Sequence, residues 1–346
     1  MSYWGRVMII VGACIIGFFL LYYLFHRLVH RFLKGFINKR FEGEPGLKYF
    51  KAEDFRYIKT KPITFKSDKT KLNGYIYYKG RLNYDKMIVF FHGFGAGHEA
   101  YTKEIVKLVR TTKLPVIAFD HTACGNSEGK KLGSLTQFLI DGYFFFQFIK
   151  EGREFTNTKF ILVGHSMGGY VAGCLPNFVH NENIERVVLL APVNSIIDIY
   201  AKYSLKSEFY LWHIERAEKR YYKQFANQKL LDNLKEHKLP TLIIHGLLDD
   251  VVSYEEQILP IVKYANEVEF IRPVIYDNKG HQVYLTSNAQ DELDIMFRKL
   301  KKVRRSASKK KKQAFFDSID YDAIGEDDEE VFSLINNFIK EEVNNG

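Results

Sequence analysis

Residues 160–170 read Phe-Ile-Leu-Val-Gly-His-Ser-Met-Gly-Gly-Tyr. An apolar, β-favouring run ends in Gly-His-Ser-Met-Gly, and a helix-compatible segment, Tyr170 to Val179, follows. Few backbones satisfy that pattern. A buried strand must turn sharply into a helix with a serine at the apex. Side chains at 164 and 168 would collide with the strand and helix that close around the turn, so both positions are glycine. The Ser166 hydroxyl is then presented at a helix N-terminus, where free N–H groups favour developing negative charge. Ser166 is the candidate nucleophile.

The rest of the chain supplies a sheet for that turn. Residues 62–65 and 72–78 read as a hairpin joined near Asp68-Lys69. Met87 to Phe91 is a continuous apolar run, the pattern of a central parallel strand. It opens into His92-Gly-Phe-Gly-Ala-Gly-His98, after which Glu99 to Arg110 reads as a helix. Pro115 to Phe119 is a further strand ending at Asp120, and Leu135 to Glu151 is a helix with an aromatic face. Val187 to Leu190, Thr241 to His245 and Ile271 to Tyr276 complete the strands. Strands alternating with helices predict a mostly parallel, doubly wound α/β sheet. The rhythm breaks between about 192 and 240, a stretch rich in aromatics and charge that reads as a helical cap above the strand ends.

A serine hydroxyl is a weak nucleophile at neutral pH and needs a base, which in turn needs a carboxylate to orient it. Two later strand ends offer them in the order Ser, Asp, His. Thr241 to Val252 runs into Asp249-Asp250, and Tyr276 to His281 ends in Gly280-His281. Asp249 is the favoured acid from its spacing after Gly246, with Asp250 and Asp277 in reserve. His281 is favoured as base over His245, His165, His92, His98 and His121. His165 reads as support for the turn, and His245 as a core histidine with its polar atoms satisfied. Stabilising an oxyanion takes two backbone N–H donors. Met167, the residue after the nucleophile, supplies one and Phe94 the other. Gly93, Gly95 and Gly97 are read as letting that loop approach a substrate closely.

Ahead of the sheet, Val7 to Phe25 is 19 residues without a charge, enough to cross ~30 Å of hydrocarbon as a helix. Tyr3, Trp4, Tyr22 and Tyr23 are placed for the two interfaces. Bulky residues and His26-Arg27 follow the run instead of a small-x-small cleavage site, so the segment reads as an uncleaved anchor. Arg27, Arg31, Lys34, Lys39 and Arg40 lie on its C-terminal side and only Arg6 precedes it. The positive-inside rule then puts the remainder in the cytoplasm. Arg27, Arg31 and Lys34 recur at helical spacing and suit anionic headgroups. A net charge of +9 fits that surface. Three cysteines, Cys14, Cys124 and Cys174, form neither a disulfide framework nor a zinc spacing.

The C-terminal part is charge-segregated, with ten Lys or Arg in 298–312 and eight Asp or Glu in 317–330. It reads as a solvated, partly disordered insertion over about 298–330, with Lys309 to Lys312 available to anionic lipid and the acidic part folding back on the basic part. Bases do not alternate with stacking aromatics, so no nucleic-acid partner is expected. Ser287-Asn-Ala-Gln290 reads as a capping box opening a helix to about Arg305. An amphipathic helix over 329–342 closes the chain. The division expected is residues 1–40 as anchor and basic juxtamembrane segment, and 41–346 as one α/β domain. The oligomeric state is open.

These pieces together resemble the α/β-hydrolases of the monoacylglycerol lipase, lysophospholipase and serine aminopeptidase group. The matching residues are His92-Gly93-Phe94-Gly95 with Tyr101, Phe119-Asp120-His121 leading to Gly125-Asn-Ser-Glu-Gly129, and Gly164 to Gly169. Gly246-Leu-Leu-Asp249 and Gly280-His281 complete the set, which covers about residues 60–285. The resemblance implies ester or amide hydrolysis through an acyl-enzyme, with Ser166, Asp249 and His281 as triad, Phe94 and Met167 as oxyanion donors, and no metal or organic cofactor. The expected substrates are acyl esters of monoacylglycerol or lysophospholipid type, or smaller carboxylic esters. A serine aminopeptidase and a non-catalytic binding protein on the same fold are the alternatives. Cys124 departs from the pattern, standing where the group often has His.

Overall fold

The computed structural model describes residues 2–179, 183–203, 208–306 and 308–341. Eight strands form one sheet: β1 Ile58–Ser67, β2 Thr70–Lys79, β3 Lys86–Phe91, β4 Val116–Phe119, β5 Lys159–His165, β6 Ile184–Leu190, β7 Thr241–Gly246 and β8 Ile271–Tyr276. Their order is β1-β2-β4-β3-β5-β6-β7-β8. β2 is antiparallel to both its neighbours, and β4 through β8 are mutually parallel. All the parallel strands therefore end at one edge. The hairpin and every strand read from the sequence are present, most of them longer by one to four residues at an end, while β8 keeps its expected bounds and β4 starts one residue later, at Val116.

Helices α1 Tyr3–Ile37, α2 Thr102–Thr112, α3 Gln137–Glu151, α4 Met167–Cys174 and α5 Pro176–Val179 precede β6. α6 Ile196–Tyr203, α7 Glu208–Tyr222 and α8 Leu230–His237 lie between β6 and β7. α9 Leu259–Ala265, α10 Ser287–Ser306, α11 Lys309–Asp317 and α12 Glu329–Lys340 follow. Alternation along β3 shows how the sheet is covered. Met87, Val89 and Phe91 enter one core with α3, α4 and α8, while Ile88 and Phe90 enter the other with α2, α10 and α12. Phe138, Phe145 and Phe146 of α3 are buried against the sheet, as the aromatic face requires.

In the chain between β6 and β7, α8 packs on α4, its Leu230 lying over Gly173, as an ordinary crossover helix does. α6 and α7 stand apart from that crossover and reach the loop before α3. There Tyr200 Oη accepts from Leu135 N at 3.2 Å, and Ser134 and Thr136 donate to Glu218.

The C-terminal expectations need correction. The charged stretch is largely helical. Its apolar positions recur at helical spacing, and Leu293, Met296 and Leu300 turn toward the core, Met296 and Leu300 fully buried. Ser308 caps α11, its Oγ accepting from Lys311 N. The acidic part pairs with lysines elsewhere. Glu329 meets Lys107, Asp328 lies 2.7 Å from Lys279 and Asp322 lies 3.9 Å from Lys103. Thr286 rather than Ser287 caps α10, its Oγ1 accepting from Ala289 N at 3.2 Å. Gln290 is free for another task described below. α12 buries Phe332 along with Val331, Ile335, Phe338 and Ile339; position 342 lies outside the described residues.

α1 is one continuous helix whose Tyr3–Phe25 portion is long and apolar enough to cross a membrane. None of that portion is buried against the domain. The side chains of Arg31 and Lys34 lie outside the described part of the helix. At its end the chain re-enters the core through Ile37 and Phe41.

Candidate active site

The β5–α4 junction is the turn the sequence requires. Ser166 adopts φ 56° and ψ −119°, in the left-handed region that costs a non-glycine residue of order 1–2 kcal/mol. A Cβ on Gly164 would stand 2.1 Å from the Gly168 carbonyl oxygen, and one on Gly168 would stand 1.9 Å from that of Phe91. Main-chain bonds hold the strained residue: Ser166 N donates to Leu190 O at 2.9 Å, and Ser166 O accepts from Tyr170 N and Val193 N.

Asp249 and His281 come from the neighbouring ends of β7 and β8, where Gly246 pairs with Tyr276. His281 Nδ1 and Asp249 Oδ2 are 2.8 Å apart. Asp249 Oδ1 accepts from Val251 N at 2.9 Å and Val252 N at 2.8 Å. Burial alone would raise this carboxyl; the His281 hydrogen bond and charge, with the Val252 amide, outweigh it and hold Asp249 below the ordinary Asp value. An ionised Asp249 fixes Nδ1 as the donor and leaves Nε2 of His281 unprotonated when the ring is neutral. Asp250 is exposed, and its carbonyl accepts from Lys202 Nζ. Asp277 is exposed too.

Phe94 and Met167 occupy matching places. In the β3–β5 pairing Phe91 faces Gly164, and each candidate lies three residues further on at the same sheet edge. Met167 opens α4 and is buried. The Phe94 ring packs on Phe41 at 4.4 Å between centroids.

A polar relay ties these loops together. His165 Nε2 lies 3.0 Å from the His281 carbonyl oxygen, which can only accept, so Nε2 carries the proton. Burial first, and the nearby His281 second, lower the His165 pKa to about 3, so the ring is neutral. Its Nδ1 therefore accepts from Tyr101 Oη at 2.9 Å, and Tyr101 Oη accepts in turn from Gly93 N at 3.2 Å. Gln290 holds the same loop from the other side, Oε1 accepting from Gly280 N at 2.7 Å. His165 supports the turn as expected. The Tyr101 and Gln290 contacts join residues 8, 64 and 10 positions apart in the chain; Tyr101 stands in the set that carries the resemblance and Gln290 in the expected capping box, but neither pattern gives these contacts.

Other candidates have other roles. His92 Nδ1 bonds the Gly93 carbonyl at 2.7 Å, and burial lowers its pKa to about 3. His98 and Asp120 form a buried pair at 2.7 Å. A Cβ on Gly97 would fall 2.3 Å from Asp120 Oδ1, so that glycine makes room for Asp120 rather than for a substrate. His121 lies 3.4 Å from Asp141. His245 is buried, but among the described residues neither ring nitrogen makes a hydrogen bond of good geometry; the Val252 backbone is near and Asp249 stands 3.8 Å away. It is not the satisfied histidine expected, because Asp249 is committed to His281. Cys124 and Cys174 are buried with raised thiol pKa values, and all three cysteines are free. Among the described residues no cluster of His, Cys, Asp or Glu could hold a metal ion.

A family model described as serine aminopeptidase, S33, matches residues 83–221. A protein of Mycoplasma pneumoniae described as an esterase/lipase is 33% identical over 119 residues, 33% of this chain and 40% of its own. A 1-acylglycerol-3-phosphate O-acyltransferase named from Oryza sativa is 30% identical over 106 residues, 30% of this chain and 25% of its own. The chain thus spans about two-fifths of the mycoplasma relative and a quarter of the rice one. An esterase of Pyrococcus furiosus has the same fold, with a TM-score of 0.54 at 19% identity over 78% of this chain and 100% of that one. The chain has the α/β-hydrolase fold, and its residues 83–221 are similar to the serine aminopeptidase family.

Proposed function

We propose that the protein is a membrane-anchored serine hydrolase that cleaves carboxylic esters of single-chain lipids, with its catalytic domain on the cytoplasmic face. The observation that carries this reading is Ser166 held at φ 56° on the sheet edge where His281 is bonded to Asp249. In this reading His281 Nε2 takes the Ser166 hydroxyl proton as Oγ attacks the ester carbonyl. The amides of Phe94 and Met167 receive the oxyanion. His281 then gives its proton to the departing alkoxide, leaving an acyl-Ser166. Water repeats the sequence, its proton going to His281 and its oxygen to the acyl carbon, and a carboxylic acid is released.

Lipid esters suit an α/β-hydrolase that begins with an apolar helix flanked by basic residues on one side. Amine recognition, which an aminopeptidase needs, is less well served. Glu218 of α7 is buried, accepts from Ser134 Oγ at 2.7 Å and Thr136 Oγ1 at 2.6 Å, and has a raised pKa caused by burial. A buried carboxyl already committed to two hydroxyl donors is a poor partner for an ammonium group. Glu208 and Glu215 are exposed.

A fluorophosphonate probe applied to the detergent-solubilised protein tests the reading. One phosphonyl adduct is expected on wild type and none on Ser166→Ala. An unlabelled, well-folded wild type would rule out an assembled triad. A panel of acyl esters beside aminoacyl anilides then separates esterase from peptidase.

A further inference from the structure

A cavity of about 710 Å³ lies outside the helices between β6 and β7. Its walls are the connector after α1 (39–50), the loop after β3 with the start of α2 (94–104), residues 282–285, α10 and residues 321–325. Its volume is that of a typical small-molecule site. Phe41, Leu47 and Phe94 line one side, and Leu293, Met296 and Phe297 of α10 line another. The chain's own additions to the fold, the connector and the charged insertion, thus build a chamber with these apolar side chains on two sides and nine charged residues in the rest of its lining. Phe316 of α11 packs over Gly46 of the connector, Lys48 N donates to Tyr321 Oη at 2.9 Å, and Arg304 pairs with Glu44.

The chamber abuts the reactive centre at three points. Phe94 follows Gly93, where a Cβ would stand 3.3 Å from Ser166 Cβ. Tyr101 lines the cavity and bonds His165 with its hydroxyl. Gln282 follows His281. At the other end, Lys39 to Phe41 line the cavity and follow the last residue of α1 by two to four positions. Helix α1 continues past Phe25 through residues 26 to 37, so a straight helix holds the domain about 18 Å beyond its apolar span. A lipid chain reaching Ser166 must leave the hydrocarbon, and that is costly unless an apolar site receives it. Of the four glutamates that line the cavity, Glu104 is the one whose carboxyl burial raises, to about 8.

We propose that this cavity holds the acyl chain of the substrate, the carbonyl end reaching Ser166 past Phe94. The inference rests on the ester-hydrolase reading and adds where the chain lies: against α10 and the connector. Chain-length preference is then set by α10, not by the helices between β6 and β7.

The test uses the full-length protein in nanodiscs with p-nitrophenyl esters from butyryl to palmitoyl. Leu293→Trp fills the cavity from α10. Its kcat/KM for dodecanoyl and longer esters is expected to fall at least tenfold, with butyryl ester cleaved within twofold of wild type. Phe297→Trp, at a half-exposed position, repeats the measurement with little risk to folding. A fluorescent fatty acid titrated into Ser166→Ala should bind, and binding should be lost when Leu293→Trp is added. Equal loss for short and long esters, no loss for either, or fatty-acid binding that Leu293→Trp leaves intact would each overturn the proposal. A wild type that cleaves no ester would defeat the hydrolase reading alone, and the fatty-acid titration would still decide the cavity.

Discussion

Asp249 spends both carboxylate oxygens, Oδ2 on His281 and Oδ1 on the Val251 and Val252 amides. An amide in its place would keep the shape but could present N–H where Nδ1–H now donates, turning the imidazole to its other tautomer. Asp249→Asn should therefore lower kcat by about 10³–10⁴ with the fold intact. Asp250→Asn, one residue on, should leave kcat within about twofold, because that side chain is exposed. Steady-state kinetics beside circular dichroism checks both. The contrast marks what was legible. Ser166, Asp249 and His281 stand at ends of apolar runs, and parallel strands bring such ends to one edge. Tyr101, Gln290 and the unsatisfied His245 depend on side chains meeting across loops, which periodicity does not encode.

At the scale of elements, the insertion is a brace for the loop that carries His281. Leu285 and Asp327 form an isolated bridge, Asp328 N donates to Tyr284 O at 2.8 Å, and buried Lys279 donates to both Leu285 O and Asp328. A charge-rich composition suggested a loose linker because burial of its few apolar positions is visible only once the sheet face they cover is known. The brace has a pH sensitivity of its own. Buried Glu104 of α2 and half-buried Asp327 lie near each other, each with an oxygen that has no hydrogen-bond partner among the described residues. Burial raises both carboxyls, Glu104 further through Asp327; Lys107 and Lys103 oppose the rise at Asp327. An acid whose folded pKa exceeds its unfolded one contributes its full stability below the unfolded value and loses it as pH rises through the folded value. The melting temperature should thus decline from about pH 4.5 to about pH 8, where Glu104 titrates in the fold, with a slope of at most about 1.4 kcal/mol per pH unit for one such group. Glu104→Gln should flatten the decline and exceed wild type in stability at pH 9. An identical pH profile for the two proteins would locate the titrating group elsewhere.

The whole molecule turns on how the long apolar N-terminal helix is joined to the α/β domain. The junction is an extended segment sewn onto the loop that follows β4. Phe41 N donates to Ala123 O at 2.7 Å and Gly125 N to Phe41 O at 2.9 Å, while Gly133 N reaches Ile37 O at the helix end. Arg40 gathers three carbonyls, donating to Ser127 O at 2.7 Å, to Gly129 O at 3.0 Å and to Gly125 O. Phe41 places its ring on Phe94, the residue read as an oxyanion donor. The domain therefore begins structurally at about Ile37, a few residues before the boundary at 40 expected from charge alone. A protein lacking residues 1–36 should be soluble and cleave short esters at near wild-type kcat, since the tether supplies nothing to the site. One lacking residues 1–42 should lose Phe41 burial, of order 3–5 kcal/mol, and leave the Gly125–Gly129 carbonyls without their guanidinium. Its melting temperature should drop by several degrees, and kcat should fall as Phe94 loses the ring it rests on. Thermal melts and short-ester kinetics on the two truncations, compared with Phe41→Ala in the shorter deletion, measure that coupling. Equal activity of both truncations would show that the segment joins the anchor to the domain without positioning the site.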